Sequence, residues 1–131
     1  MKILVGYDGS NESKDALRLA QKHAKELGAR IEVATAISRC EPLEYHKIQE
    51  AEQELDWNVK KILNEDIALN ETHLLVNDSS PEAQLVEFAE RYHVDEIIIG
   101  APKRTRVGKL LFGSTAQYIV LNAPCPVVTV N

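Results

Sequence analysis

Ile3-Leu4-Val5-Gly6-Tyr7-Asp8-Gly9-Ser10, with Ala16, Leu17, Ala20, Ala24 and Leu27 following at helical spacing, reads as a buried strand that turns directly into a helix. The run from Ile3 to Tyr7 is nearly continuous in hydrophobicity, as expected for a strand covered on both faces, and such strands belong to parallel sheets. Ser10 is a suitable N-cap for the helix, and Gly28 suits a left-handed stop.

The same alternation continues outward from this unit. Ile31 to Ile37 predicts a second strand, and Pro42 to about Leu69 carries a long helical pattern marked by Ile48, Ala51, Leu55, Val59 and Ile62. Thr72 to Val76 predicts a third strand. Ser80-Pro81 supplies an N-cap and a first-turn proline for a helix that turns Leu85, Val86, Ala89 and Tyr92 inward. Glu96 to Gly100 is a fourth strand. Ser114 is placed to cap a short helix through Asn122, and Val127-Val128-Thr129-Val130 closes the pattern as a fifth strand. Strands alternating with helices in this way predict an α/β domain with a parallel sheet. Without repeats, low-complexity tracts or an interior linker, residues 1–131 read as one domain.

Composition narrows the function classes. The formal net charge of −5 and the modest set of aromatics, two Phe, one Trp and four Tyr, argue against a nucleic-acid-binding module. Cys40 and Cys125 form no C-x-x-C pair and read as free thiols in a reducing compartment. No run approaches membrane-spanning length, and the first residues offer no apolar leader region, so the expectation is a cytoplasmic protein without a membrane partner. His23, His46, His73 and His93 lack metal-ligand spacing and are expected in surface or packing roles. Trp57 lies opposite the apolar face of its helix, either half-exposed or in contact with a partner.

Charge is distributed unevenly. Residues 1–96 carry 11 Lys/Arg against 20 Asp/Glu, whereas residues 97–131 carry four cations, Lys103, Arg104, Arg106 and Lys109, and no acid. All four fall in one short loop, between the apolar run Ile97-Ile98-Ile99-Gly100 and the step Gly113-Ser114-Thr115. This points to a local anionic ligand more than to a general affinity for polyanions. Helix N-termini bind phosphates through unpaired N–H groups and the positive dipole end, so Gly113-Ser114 is a candidate phosphate site. Ligands of open parallel sheets bind beyond the carboxyl ends of the strands, where strand order reverses. Asp8 and Gly100 would face each other there if the first and fourth strands are neighbours. Asp8 alone would read as an acid at a helix start, and the cations alone as a solvated loop; their company favours a site.

The pattern Gly100-x2-Lys103-x9-Gly113-Ser114, the opening Asp8-Gly9-Ser10 and the ending Asn122-Ala-Pro-Cys-Pro-Val-Val-Thr-Val resemble the universal stress protein family across essentially the whole chain. The resemblance implies a single doubly wound α/β domain of the adenine nucleotide alpha hydrolase-like type. Its sheet would be five-stranded and parallel in the order 3-2-1-4-5, with helices on both faces. It also implies a homodimer and, for one branch of the family, ATP binding through Gly-x2-Gly-x9-Gly-Ser/Thr. Carried onto this chain, nucleotide-binding residues would be Tyr7, Asp8, Ser10, Ala36, Gly100, Lys103, Gly113, Ser114 and Thr115. Asp8 would hold the ribose or metal side, Ala36 would line the adenine pocket, and Gly100, Gly113, Ser114 and Thr115 would cradle ribose and phosphates. Arg104, Arg106 and Lys109 are candidate phosphate contacts. The ligand would be ATP or another adenine nucleotide, with Mg²⁺ or Mn²⁺ as an accompanying ion and no metal held by protein ligands alone.

Lys103 stands where the motif has its second glycine. A lysine there either keeps the loop away from the phosphates, at a cost of about 1–2 kcal/mol if the backbone must be left-handed, or adds a charge-assisted phosphate contact. The first outcome gives a nucleotide-free homodimeric interaction protein with a lapsed site. The second gives an ATP-binding stress-response signalling protein with an unknown protein partner. No residue is an obvious base for hydrolysis, so turnover would be slow or partner-dependent. No nucleophile and base pair supports a hydrolase or transferase. Val127, Val128, Thr129 and Val130 form an apolar edge expected to pair with a second copy.

Overall fold

The computed structural model describes residues 1–39, 45–63, 68–101 and 113–131. The elements in chain order are β1 (Lys2–Gly6), α1 (Asn11–Leu27), β2 (Arg30–Ser38), α2 (Tyr45–Leu63), β3 (Leu69–Asn77), α3 (Pro81–Arg91), β4 (Glu96–Gly100), α4 (Ser114–Asn122) and β5 (Val127–Val130). The strands form one sheet in the order β3-β2-β1-β4-β5, with each neighbouring pair parallel.

Continuous hydrophobicity along the central strands has a simple cause: helices cover both faces of the sheet. Ile3, Val5, Ile31, Val33 and Ile98 pack against α1 and α2 with Leu17, Leu55, Val59 and Leu63. The alternate residues Leu4, Ala34, Ile97 and Ile99 pack against α3 and α4 with Leu85, Phe88, Ala89 and Ile119. Ile3, Leu4, Ile97 and Ile98 are fully buried, each stabilising the fold by roughly 1.5–3 kcal/mol.

Local signals set the helix limits. The Ser10 hydroxyl oxygen accepts from Ser13 N at 3.1 Å and caps α1, while Gly28 at φ 64° ends it, its N–H donating to Ala24 O. Ser80 caps α3 ahead of Pro81 in the same way.

Several sequence expectations shift. β2 and β3 are longer than their apolar cores, because ladder pairing continues through polar residues as far as the Ser38 and Asn77 partners. Leu69, read as the end of the second helix, opens β3, and that helix spans Tyr45–Leu63. Leu27 and Tyr92 are exposed at 54% and 46%; Leu27 is the last residue of α1 and Tyr92 is the C-cap of α3. The N-cap of α4 is Gly113 and makes no side-chain cap bond, so Ser114 is the first helical residue. Trp57 is 70% exposed. Cys125 is a free thiol; Cys40 and Pro42 lie outside the described residues. Among the described residues no helix is long and apolar enough to cross a membrane.

Candidate functional site

The chain builds from β1 outward through β2 to β3, then returns to the other side of β1 for β4 and β5. The reversal of direction is therefore at β1 and β4, the place where a crevice opens in doubly wound sheets. A cavity of about 260 Å³ lies there, many times the roughly 10–15 Å³ that one water needs. Gly6 and Ile99, ladder partners at the ends of β1 and β4, line it together with Ala36 from β2. Pro81 and Leu85 from α3 and Thr115 and Ile119 from α4 complete its apolar wall. Gly6 keeps it open: a β-carbon there would meet Ile99 Cγ2 at 3.1 Å and Leu85 Cδ1 at 3.2 Å.

The polar rim comes from the turn between β1 and α1. Gly9 takes φ 84°, a conformation that glycine adopts without penalty, and Asp8 Oδ1 accepts from Ser10 N at 2.9 Å across the turn. Burial raises the Asp8 carboxyl, but hydrogen bonds from Ser10 and Ser13 outweigh it and hold its pKa below the ordinary 3.8. Asp8 is therefore ionised at neutral pH, and it is the one carboxylate among the described residues lining the cavity. Ser13, 2% exposed, also lines the cavity and donates its hydroxyl to Ser10 O at 2.8 Å.

Tyr7 has two roles. It borders the cavity, yet its ring belongs to the core under α1 and α2, and its buried hydroxyl finds no partner among the described residues. Burial pushes the phenol up, with the Glu54 and Asp8 carboxylates adding to the effect. Its hydroxyl is thus a neutral group. Glu54 and Asn58 of α2 line a second, smaller cavity of about 150 Å³ beside the same ring.

Of the residues singled out by sequence, Tyr7, Asp8, Ala36, Gly100 and Thr115 meet around one cavity. Ser10 is engaged in capping α1, and Gly113 and exposed Ser114 stand at the start of α4. Lys103, Arg104, Arg106 and Lys109 lie outside the described residues. Gly100 serves packing directly, since a β-carbon there would stand 2.7 Å from Glu12 C and Ser13 N. Gly6, Ser13 and Ile99 escaped the motif-based reading. Gly6 and Ile99 could have been found by placing the last residues of the two central strands side by side.

The universal stress protein family model matches residues 1–131. The chain belongs to the universal stress protein family. A universal stress protein of Methanocaldococcus jannaschii is 31% identical, with 99% of this chain and 81% of that protein aligned. The structure of a universal stress protein from Archaeoglobus fulgidus has a TM-score of 0.86 at 33% identity, covering 100% of this chain and 98% of that one. An Archaeoglobus fulgidus universal stress protein in complex with dAMP has a TM-score of 0.80 at 30% identity, covering 100% and 98%. A universal stress protein in complex with cAMP has a TM-score of 0.71 at 26% identity, covering 100% and 96%.

Proposed function

We propose that this universal stress protein binds an adenine nucleotide, ATP with Mg²⁺ or Mn²⁺, in the cavity at the ends of β1, β2 and β4, and uses it as a signal in the cytoplasm. The observation that carries this reading is the meeting of an apolar cavity, an ionised Asp8 and the start of α4 at one place. The base lies on the apolar wall beside Ala36. Asp8 faces sugar hydroxyls or the ion, and a single carboxylate together with phosphate oxygens is an ordinary Mg²⁺ set. The N–H groups at Ser114 and Thr115 take the phosphates. The dAMP and cAMP complexes of relatives support the adenine preference. Residues 1–131 act as one domain, and two copies pair through β5. Turnover is slow or partner-dependent, because none of the described residues lining the cavity is an obvious base for the γ-phosphate.

Lys103 favours a second reading, a nucleotide-free dimer. Thermal unfolding in rising ATP with Mg²⁺ separates the two. Ligand at about 100 times its dissociation constant stabilises by about 2.7 kcal/mol, and no shift at saturating ATP would leave only the dimer reading. Lys103→Gly then assigns the lysine's role: tighter binding marks it as an obstruction, weaker binding as a phosphate contact.

A further inference from the structure

We propose that Glu32, Glu71 and His73 form a binding site for a first-row divalent cation, zinc in particular, on the α3 side of the edge strand β3. One ligand atom from each residue lies within 4.8 Å of the other two. His73 Nε2 stands 2.7 Å from Glu32 Oε2 and 3.9 Å from Glu71 Oε2. Ligands about 2.0–2.2 Å from a tetrahedral ion are separated by about 3.3–3.6 Å, a range between these two spacings. Small side-chain rotations therefore bring all three onto one ion. Nε2 binds the metal through its lone pair, so any proton on the imidazole is then carried by Nδ1.

The backbone builds this cluster by a specific irregularity. β2 and β3 pair Ile31 with Leu69 but Glu32 with Glu71, so one extra residue, Asn70, is inserted in β3. Without that bulge Glu32 would face Asn70, and Glu71 and His73 would fall on the opposite face of the sheet, since side chains alternate along a strand. Bulges of this kind re-aim side chains near sites. With it, Glu71 is directly opposite Glu32 and His73 is opposite Ala34 on the same face.

The surroundings suit an ion with open positions. The Glu32 side chain is 7% exposed, that of His73 23% and that of Glu71 69%, so the site runs from the interior to solvent. The His73 ring is held 4.8 Å from that of Phe88, centroid to centroid. His73 also lines a cavity of about 150 Å³ between β3 and α3. Gln84, 2% exposed, lines that cavity too; its Nε2 donates to Ile37 O and Ser79 O, and its Oε1 has no partner among the described residues. The cavity is large enough for water beside His73. One imidazole and two carboxylates, with room for water, favour zinc over Mg²⁺ or Ca²⁺, which take oxygen sets.

Calorimetry of the tag-free chain with zinc chloride tests the proposal. Loss of even an outer partner of a metal site costs about 10–100-fold in affinity. His73→Gln and Glu71→Gln are each expected to weaken zinc binding by at least about tenfold while ATP binding is unchanged. Glu71 is exposed, so its variant remains informative if the His73 variant fails to fold. Absence of saturable zinc binding, or equal binding by Glu71→Gln, would overturn the assignment.

Discussion

At Gly100 a β-carbon would stand 2.7 Å from the carbonyl carbon and β-carbon of Glu12 and from the amide nitrogen of Ser13, so the residue lets α1 lie against the end of β4. Backbone cannot yield as a flexible side chain can. Gly100→Ala is expected to lower stability by about 1–3 kcal/mol, the usual range for overpacking, which urea unfolding without nucleotide will measure. Tyr7 should behave in the opposite way. Its hydroxyl is buried without a partner among the described residues, and such a group costs about 1–3 kcal/mol, so Tyr7→Phe should be as stable as the parent or more so. Asp8 carries a pH signature. Its folded pKa is depressed, so the stability it adds is present above the ordinary 3.8 and disappears as pH falls from there through the lower folded value. Asp8→Asn should flatten that part of the acid limb, and a gap from the parent that widened with falling pH would contradict the hydrogen-bond account.

Among the elements, the two Ser-capped helices and the apolar strands were legible because each depends on neighbours in sequence. Ser10 with Gly28 bounds α1, and Ser80 with Pro81 starts α3. Ser80→Ala should cost about 1 kcal/mol in thermal unfolding while leaving nucleotide affinity unchanged. The full length of β3 was not legible, because its first residues are placed by pairing with β2 and by a bulge that nothing in the local pattern announces. The contact between Glu32 and His73 spans 41 positions, and sequence spacing carries no sign of it. Asp8 was placed at the crevice by its position after the first strand, Ala36 and Thr115 were identified as site residues through family resemblance, and Ser13 and Leu85 join the cavity only once the helices are docked. The start of α4 makes a prediction in which two effects oppose. Thr115→Asp puts an acid in the first turn of a helix that has none there, worth about 0.3–1 kcal/mol in stability. The same charge repels phosphate, and like charges 4 Å apart at an effective dielectric of 20 cost about 4 kcal/mol. Thermal unfolding and calorimetry should therefore show a slightly more stable apoprotein with at least about tenfold weaker ATP binding.

For the molecule as a whole, β3 and β5 are the edges of the sheet. Pro126 and Val130 turn their carbonyl oxygens to Ile97 N and Ala101 N of the β4 side. Backbone alternation therefore directs Thr129 to the outer edge, where a second copy would pair. Thr129→Pro deletes an outward N–H while keeping the β4 ladder. Sedimentation should show a dimer for the parent and a folded monomer for this variant, and a monomeric parent would remove the dimer from the account. The central claim concerns the crevice where the two halves of the sheet meet. Its most direct test is titration of the isotopically labelled chain with ATP and Mg²⁺, followed through the backbone amide resonances. The account predicts saturable shifts at Gly6, Asp8, Ala36, Gly100 and Thr115, with Glu71 and His73 unmoved. An unchanged spectrum at saturating nucleotide, or shifts confined to residues away from the ends of β1 and β4, would contradict it.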